Sequence, residues 1–375
     1  MTKIKFLAVA FAILTIFSCS KEDTTENMTS AGSKASITVK IKGSAESMSK
    51  ATGDPGDATD VAVNDYIIFL FDAGGKLVGT PKYMNSAADG VVNDANTTAS
   101  KIYVVANTGV IDGGPFAGIT DENDLKTRTG KLIDETGAST QTSDHLWMSG
   151  VSLVGPFTPG LSSGDPSTAS VSVNLAFVAA RIDVVVMDKR RNNTPGVGSV
   201  SIADNSVALL FAGADGKFFA ESAEKVTQSN FFSGIATATT TGVAQADVLN
   251  DTVEQPFATS GEVEYHFYTF GYNGDHDFGG GLIRPTILTI ASTRTNADGT
   301  EDLIYYPVHF NASDAGMTIE PGKKYTVTLT LTGNVNNGGG SGGTTPPEDL
   351  PKSAEITITV NAATWEAKII NKEFN

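Results

Sequence analysis

Apolar and polar residues alternate along much of this chain in short runs of period two. This is the spacing that turns one face of a β-strand to a core and the other to water. The first run is 36–42, where Ile37, Val39 and Ile41 share one face and Thr38, Lys40 and Lys42 the other. Residues 66–71 break the alternation, because Tyr-Ile-Ile-Phe-Leu-Phe is apolar throughout and predicts a strand covered on both faces. Asp-Ala-Gly-Gly-Lys at 72–76 predicts the turn that returns the chain to Leu77 and Val78 as a hairpin. Further strands are predicted at 101–106, 145–148, 151–154 and 170–177, then at 181–187, 198–202, 207–211, 262–270, 282–292, 303–310 and 324–331, with Gly- or Asn-rich punctuation between them. Residues 121–132 read as the one short helix. About seven short strands on each side of Ala179 predict an all-β chain made of two antiparallel β-sandwiches in tandem. No fixed-period repeat relates the halves at the level of sequence.

The C-terminal end carries a different pattern. Residues 333–352 are rich in Gly and Asn and end on Pro346, Pro347 and Pro351, a linker that spans roughly 25 Å as a coil. Beyond it Ile356, Ile358 and Val360 alternate with Thr357 and Thr359. After Ala362 the apolar parity flips to Ala363, Trp365, Ala367 and Ile369, as in two successive short strands or one bulged strand. Residues 353–375 therefore form a β-arm that needs a sheet, in its own domain or a neighbour's. Its Ile-Thr-Ile-Thr-Val has nearly the side-chain plan of Ile-Thr-Val-Lys-Ile at 37–41, so either fits one groove, although such alternation is common among strands. Between the first strand and the second, residues 44–60 are Ser, Gly, Pro and Asp around Lys50 and Ala51, an exposed loop of the kind where proteolysis is easiest.

Lys3 and Lys5 precede an apolar run at 6–17 that is too short for a stable membrane-spanning helix and has the length of a signal-peptide core. The following Ile-Phe-Ser-Cys at 16–19 resembles a lipobox, which makes Cys19, the only cysteine, the lipidated residue. Lys21, Glu22 and Asp23 resemble the charge signal that sends some Gram-negative lipoproteins to the cell surface. With one cysteine no intramolecular disulfide is available. The balance of 26 basic against 42 acidic residues, a net charge of -16, argues against nucleic acid or an anionic membrane surface as partner.

Candidate chemistry is sparse. His145, His266, His276 and His309 have no metal-ligand spacing, so neither a metal site nor a cofactor is expected. Asp275-His276-Asp277 in a Gly-rich loop lacks the long acidic array of a dedicated Ca²⁺ loop and reads as a solvated hairpin tip. Trp147 and Trp365 read as core anchors before they read as platforms for sugars. No nucleophile elbow, phosphate loop or dinucleotide fingerprint is present, so an enzyme is not expected.

The lipobox, the alternating strand ahead of a cuttable loop, and the apolar 66–71 strand are joined by several short motifs. These are Lys-Ile-Tyr-Val-Val-Ala-Asn at 101–107, Leu-Trp-Met-Ser-Gly at 146–150, Phe-Tyr-Thr-Phe at 267–270, Tyr-Tyr-Pro-Val at 305–308 and the arm with Trp365. Together they resemble the fimbrillin family, major subunits of the lipoprotein-derived type V pili of Gram-negative anaerobes. The resemblance implies two transthyretin-like β-sandwich domains and export as a lipoprotein to the outer membrane. It implies a surface protease that cuts after the first strand, here between Lys50 and Ala51, and a mature form in the extracellular fimbria. The released strand, with Ile37, Val39 and Ile41, is then replaced by the arm of another subunit, with Ile356, Ile358 and Val360 as donor residues and Trp365 and Ile369 extending the contact. The partners implied are further copies of the chain in a head-to-tail homopolymer, anchor and tip subunits, the maturation protease and a host or bacterial receptor. The family usually presents Arg at the cut, whereas the first Arg in this chain is Arg128.

The expected organisation is a signal peptide at 1–18, a propeptide at 19–50, sandwich domains at 51–179 and 180–332, the linker at 333–352 and the arm at 353–375. While the first strand fills its groove, the arm is expected to have nowhere to dock. Two functions remain open at this point: a polymerising shaft subunit serving cell adhesion, and a monomeric surface glycan-binding lipoprotein that keeps its N-terminus and lipid.

Overall fold

The computed structural model describes residues 32–42, 63–109, 114–132, 140–142, 145–188, 199–201, 207–210, 212–219, 249–250, 262–273, 276–277, 283–284, 286–295, 299–310, 318–331 and 367–374. These residues are nearly all β. The first half contains β1 (Lys34–Lys42), β2 (Tyr66–Asp72), β3 (Lys82–Met84), β4 (Gly90–Asn96), β5 (Ala99–Ala106), α1 (Glu122–Lys126), β6 (Thr129–Lys131), β7 (Met148–Leu153), β8 (Ser167–Asn174) and β9 (Ala176–Phe177). The second half begins with β10 (Ala179–Asp188), β11 (Ser199–Ser201), β12 (Val207–Leu210), β13 (Asp215–Lys217), β14 (Leu249–Asn250) and β15 (Glu262–Phe270). It continues with β16 (Tyr272–Asn273), β17 (His276–Asp277), β18 (Ile283–Arg284), β19 (Ile287–Thr295), β20 (Glu301–His309), β21 (Thr318–Ile319), β22 (Lys324–Leu331) and β23 (Ala367–Phe374).

Two sheets share one core in the first half. One has the order β4-β1-β8 and the other β3-β2-β5-β7-β9. Ala35, Ile37 and Val39 of β1 meet Val92 and Ala95 of β4, Val171 and Val173 of β8, and Tyr66, Ile68 and Leu70 of β2 in a single buried cluster. The other face of β2 is also covered, which is why the strand is apolar at every position: Tyr66 to Phe71 are all buried. Phe69 packs on Phe116 with ring centroids 5.7 Å apart, and Phe116 packs on Phe218 at 4.9 Å. Trp147 lies 5.0 Å from Phe218 and 5.9 Å from Phe270, so it is a core anchor, and β13 pairs with β6. The second half thus supplies part of the cover of the first.

The halves share a pairing plan that the sequence hides. β1 runs antiparallel to β4 and parallel to β8. β10 runs antiparallel to β15 and parallel to β22 in the same way. Antiparallel pairing dominates elsewhere, with β22–β23 as a further parallel pair.

Several element predictions are corrected by local hydrogen bonding. The expected strands at 145–148 and 151–154 are one strand, β7. The Trp147 N–H donates to Gln141 Oε1 at 3.0 Å and the Leu146 carbonyl accepts from Asn107 Nδ2 at 2.9 Å, side-chain partners that take the place of ladder bonds there. The expected helix at 121–132 stops at Lys126, after starting on an Asp121 N-cap that accepts from the Asp124 N–H at 3.0 Å. Its second half instead pairs as β6. The expected strand at 282–292 divides into β18 and β19. The hairpin expected at 66–78 closes with the Asp72 N–H donating to the Lys76 carbonyl, but it returns only as an isolated bridge between Phe71 and Leu77, and the strands that pair with β2 are β3 and β5.

Candidate functional site

The site is the slot that β1 occupies. Alternation at Ala35, Ile37 and Val39 turns three side chains to the core, and each is fully buried; Ile41 packs partly buried against the same cluster. Outward, Ser36 Oγ donates to Asn93 Oδ1 at 2.9 Å, and Lys40 is exposed. The backbone of β1 is held on both sides, from Ala35 opposite Ser167 to Lys42 opposite Asn174 on β8, and from Lys34 opposite Asn96 to Val39 opposite Gly90 on β4. A bulge interrupts the β4 register between Ala35 and Ile37. Burying the three core side chains contributes on the order of 5 kcal/mol as an upper bound. Without β1, two strand edges would face each other across an exposed core, which is a template for any strand of matching pattern.

The close fit of the slot's surroundings depends on glycine at two points. A Cβ on Gly90 would lie 2.8 Å from Tyr66 Oη, whose O–H donates to the Ala88 carbonyl at 2.6 Å. A Cβ on Gly150 of β7 would lie 2.3 Å from the Asn174 carbonyl oxygen at the end of β8.

Behind the second sheet, Glu122 anchors α1. It accepts from Lys101 Nζ at 2.7 Å, Tyr103 Oη at 2.5 Å and Lys126 Nζ at 3.0 Å. Burial pushes its pKa up, but those hydrogen bonds and the Lys126 charge outweigh it and hold the carboxyl at about 2. Tyr103 is pushed up to about 12 by burial first and by Glu122 second. Near the start of β10, Asp183 accepts from Arg181 Nε at 2.6 Å and Lys324 Nζ at 3.0 Å. These groups are satisfied structural ion pairs rather than poised catalysts. Among the described residues no three His, Cys, Asp or Glu side chains are grouped to hold a metal.

The structure brings the displaced-strand residues Ile37, Val39 and Ile41 together with β4 and β8. Cys19, Lys50, Ala51, Ile356, Ile358, Val360, Trp365 and Asp275 lie outside the described residues. Asp277 sits in the two-residue β17, opposite Ile283. Ile369 is in β23, opposite Thr326 of the same chain's β22. The expectation that the whole arm is undocked is thereby corrected: its last segment pairs in parallel with β22, whose edge would otherwise leave ladder groups unpaired. Sequence reasoning also passed over Ala35 as a slot residue, although it continues the alternation of Ile37 and Val39, and over Ala169, Val171 and Val173, which line the slot at alternate positions of β8.

The described residues are thus nearly all β, and the first described strand completes a sheet from its middle. Two family models match it in succession: the major fimbrial subunit protein (FimA) over residues 35–177, and the C-terminal domain of FimA-like major fimbrial subunit protein over residues 179–365. Two solved structures, each described as that of a "putative cell adhesion protein", are similar to it. The one from Bacteroides eggerthii DSM 20697 is 41% identical, with a TM-score of 0.67 over 90% of this chain and 98% of that chain. The one from Parabacteroides distasonis ATCC 8503 is 16% identical, with a TM-score of 0.54 over 92% and 99%, and shares the fold. A comparison with curated proteins finds no match.

The chain belongs to the FimA-like major fimbrial subunit family. It is a structural component of a cell-surface fimbria and not an enzyme. Among the described residues no helix is long and apolar enough to cross a membrane.

Proposed function

We propose that this chain is a shaft subunit of an adhesive fimbria, exported as a lipoprotein on Cys19, matured by a surface protease and polymerised head to tail by strand exchange. Cutting between Lys50 and Ala51 severs the covalent tie between β1 and the rest of the first domain. β1 leaves, and the arm of the next copy enters from residue 353 onward, with Ile356, Ile358 and Val360 in the slot and Trp365 lengthening the contact, while Ile369 stays in β23 against that copy's own β22. The domains are two tandem transthyretin-like sandwiches at 51–179 and 180–332. Anchor and tip subunits bound the filament, and a host or bacterial receptor is its target.

The observation that carries this reading is the place of β1. It is the central strand of its sheet, its inward side chains are fully buried, and the residues that join it to β2 include the exposed-loop sequence around Lys50. A central strand that is covalently dispensable after one cut is what strand exchange requires. Exchange has no reason to close on itself, so the product is a filament. N-terminal sequencing of purified filaments tests the cut. A start at Ala51 is expected, and a start at Cys19, Ser20 or anywhere before Ile37 contradicts it, because β1 is then retained.

A further inference from the structure

We infer that the incoming arm takes up the direction of β1, parallel to β8 and antiparallel to β4, with Ala354 in the place of Ala35 and Ile356, Ile358 and Val360 in those of Ile37, Val39 and Ile41. The inference rests on the strand-exchange reading and adds to it a direction and a register. Sequence alone leaves both open, because the arm reads Ala-Glu-Ile-Thr-Ile-Thr-Val-Asn-Ala from 354 to 362 and is almost the same backwards.

Three features of the slot break that symmetry. Ile37 is fully buried and Ile41 only partly. The β1 direction keeps isoleucine at the closed position and puts the smaller Val360 at the looser one; the reverse direction leaves a missing methylene in the closed position, where the cost is greater. Secondly, space just outside the slot is tight and disfavours a bulky side chain, since a Cβ on Gly32 would lie 2.8 Å from Thr98 Cγ2 and 3.0 Å from Asn96 Oδ1. In the β1 direction the residue arriving there is Pro351, where the linker can turn away from the sheet. In the reverse direction it is Trp365, the bulkiest side chain of the arm. Thirdly, β10, which holds the matching position in the second half, also runs parallel to one neighbour and antiparallel to the other in the β1 sense. The second half thus repeats the direction of β1 at its own central position.

Cysteine pairs in the full chain read the direction out. Cys19 is the only native cysteine and lies upstream of the proposed cut, so a disulfide ladder from mature filaments comes from the introduced pair. Val39 is opposite Val171, and Ile358 reaches that position in either direction. The pair Ile358→Cys with Val171→Cys therefore reports strand exchange itself. Ile37 is opposite Ala169 and Ile41 opposite Val173. Ile356→Cys with Ala169→Cys is expected to give a boiling-resistant ladder that collapses on reduction, and Ile356→Cys with Val173→Cys to give none. A ladder from the Val173 pair instead overturns the direction while leaving strand exchange standing; filaments that cross-link through no pair overturn both. Filament yield gives a second reading free of oxidation chemistry. Ala354→Leu overfills the closed Ala35 position and is expected to lower yield about tenfold or more, against little change for Ala362→Leu. Equal effects, or the opposite order, contradict the inference.

Discussion

Glu122 shows how one buried charge fixes a helix against a sheet. Its three donors come from two elements, Lys101 and Tyr103 on β5 and Lys126 on its own α1. Because the folded-state pKa is depressed to about 2 from an ordinary 4.5, the contribution is fully present above 4.5 and is lost as the pH falls toward 2. Thermal melts of wild type and Glu122→Gln should differ by about 1–3 kcal/mol at neutral pH, and the difference should shrink across that window. A difference that is constant with pH contradicts the assignment. Nothing in the sequence marks this residue, since Glu122 stands there as one of several charges in the first turn of the expected helix at 121–132. Ile37 and Val39, by contrast, were legible from their alternation, whereas Ala35, one step further along the same face, was passed over because a small side chain gives a weak apolar signal. Trp147 was legible as a core anchor from its type alone, whereas its partners Phe218 and Phe270 were not, because they are distant in the chain.

Strands were easier to read than their pairings. The alternation of β1 and the unbroken apolar run of β2 each reflect how many faces are buried, so both were visible locally. The parallel pairing of β1 with β8 was not, because some 130 residues of sequence separate the partners and no turn chemistry links them. The same holds for the return of the arm to β22. Close approach of β7 and β8 is likewise invisible in sequence but testable. Gly150→Ala puts a Cβ against backbone, the Asn174 carbonyl oxygen, and should destabilise the fold by about 1–3 kcal/mol in chemical denaturation. Gly155→Ala is the control, since an added Cβ there meets nothing within 4 Å, and it should leave stability almost unchanged. Equal stability of the two variants would mean that the two strands are not packed as described.

For the whole molecule, the repeated plan of β4-β1-β8 and β15-β10-β22 gives each half one strand held parallel on one side and antiparallel on the other. β1 is joined to β2 through the sequence around Lys50, where the maturation cut is proposed, whereas β10 comes directly after β9. β23 covers the outer edge of β22 within the same chain, so truncating the arm would uncover that edge as well as remove the proposed donor. A substitution at the centre of the donor segment separates the two effects. Ile358→Asp keeps β23 and places a charge where Val39 is fully buried, whichever way the arm runs. The most direct measurement is therefore gel electrophoresis, without boiling, of matured wild-type and Ile358→Asp subunits. A ladder of polymers is expected for the wild type and a single band for the variant; a ladder of equal extent from the variant would contradict donor-strand assembly through this arm.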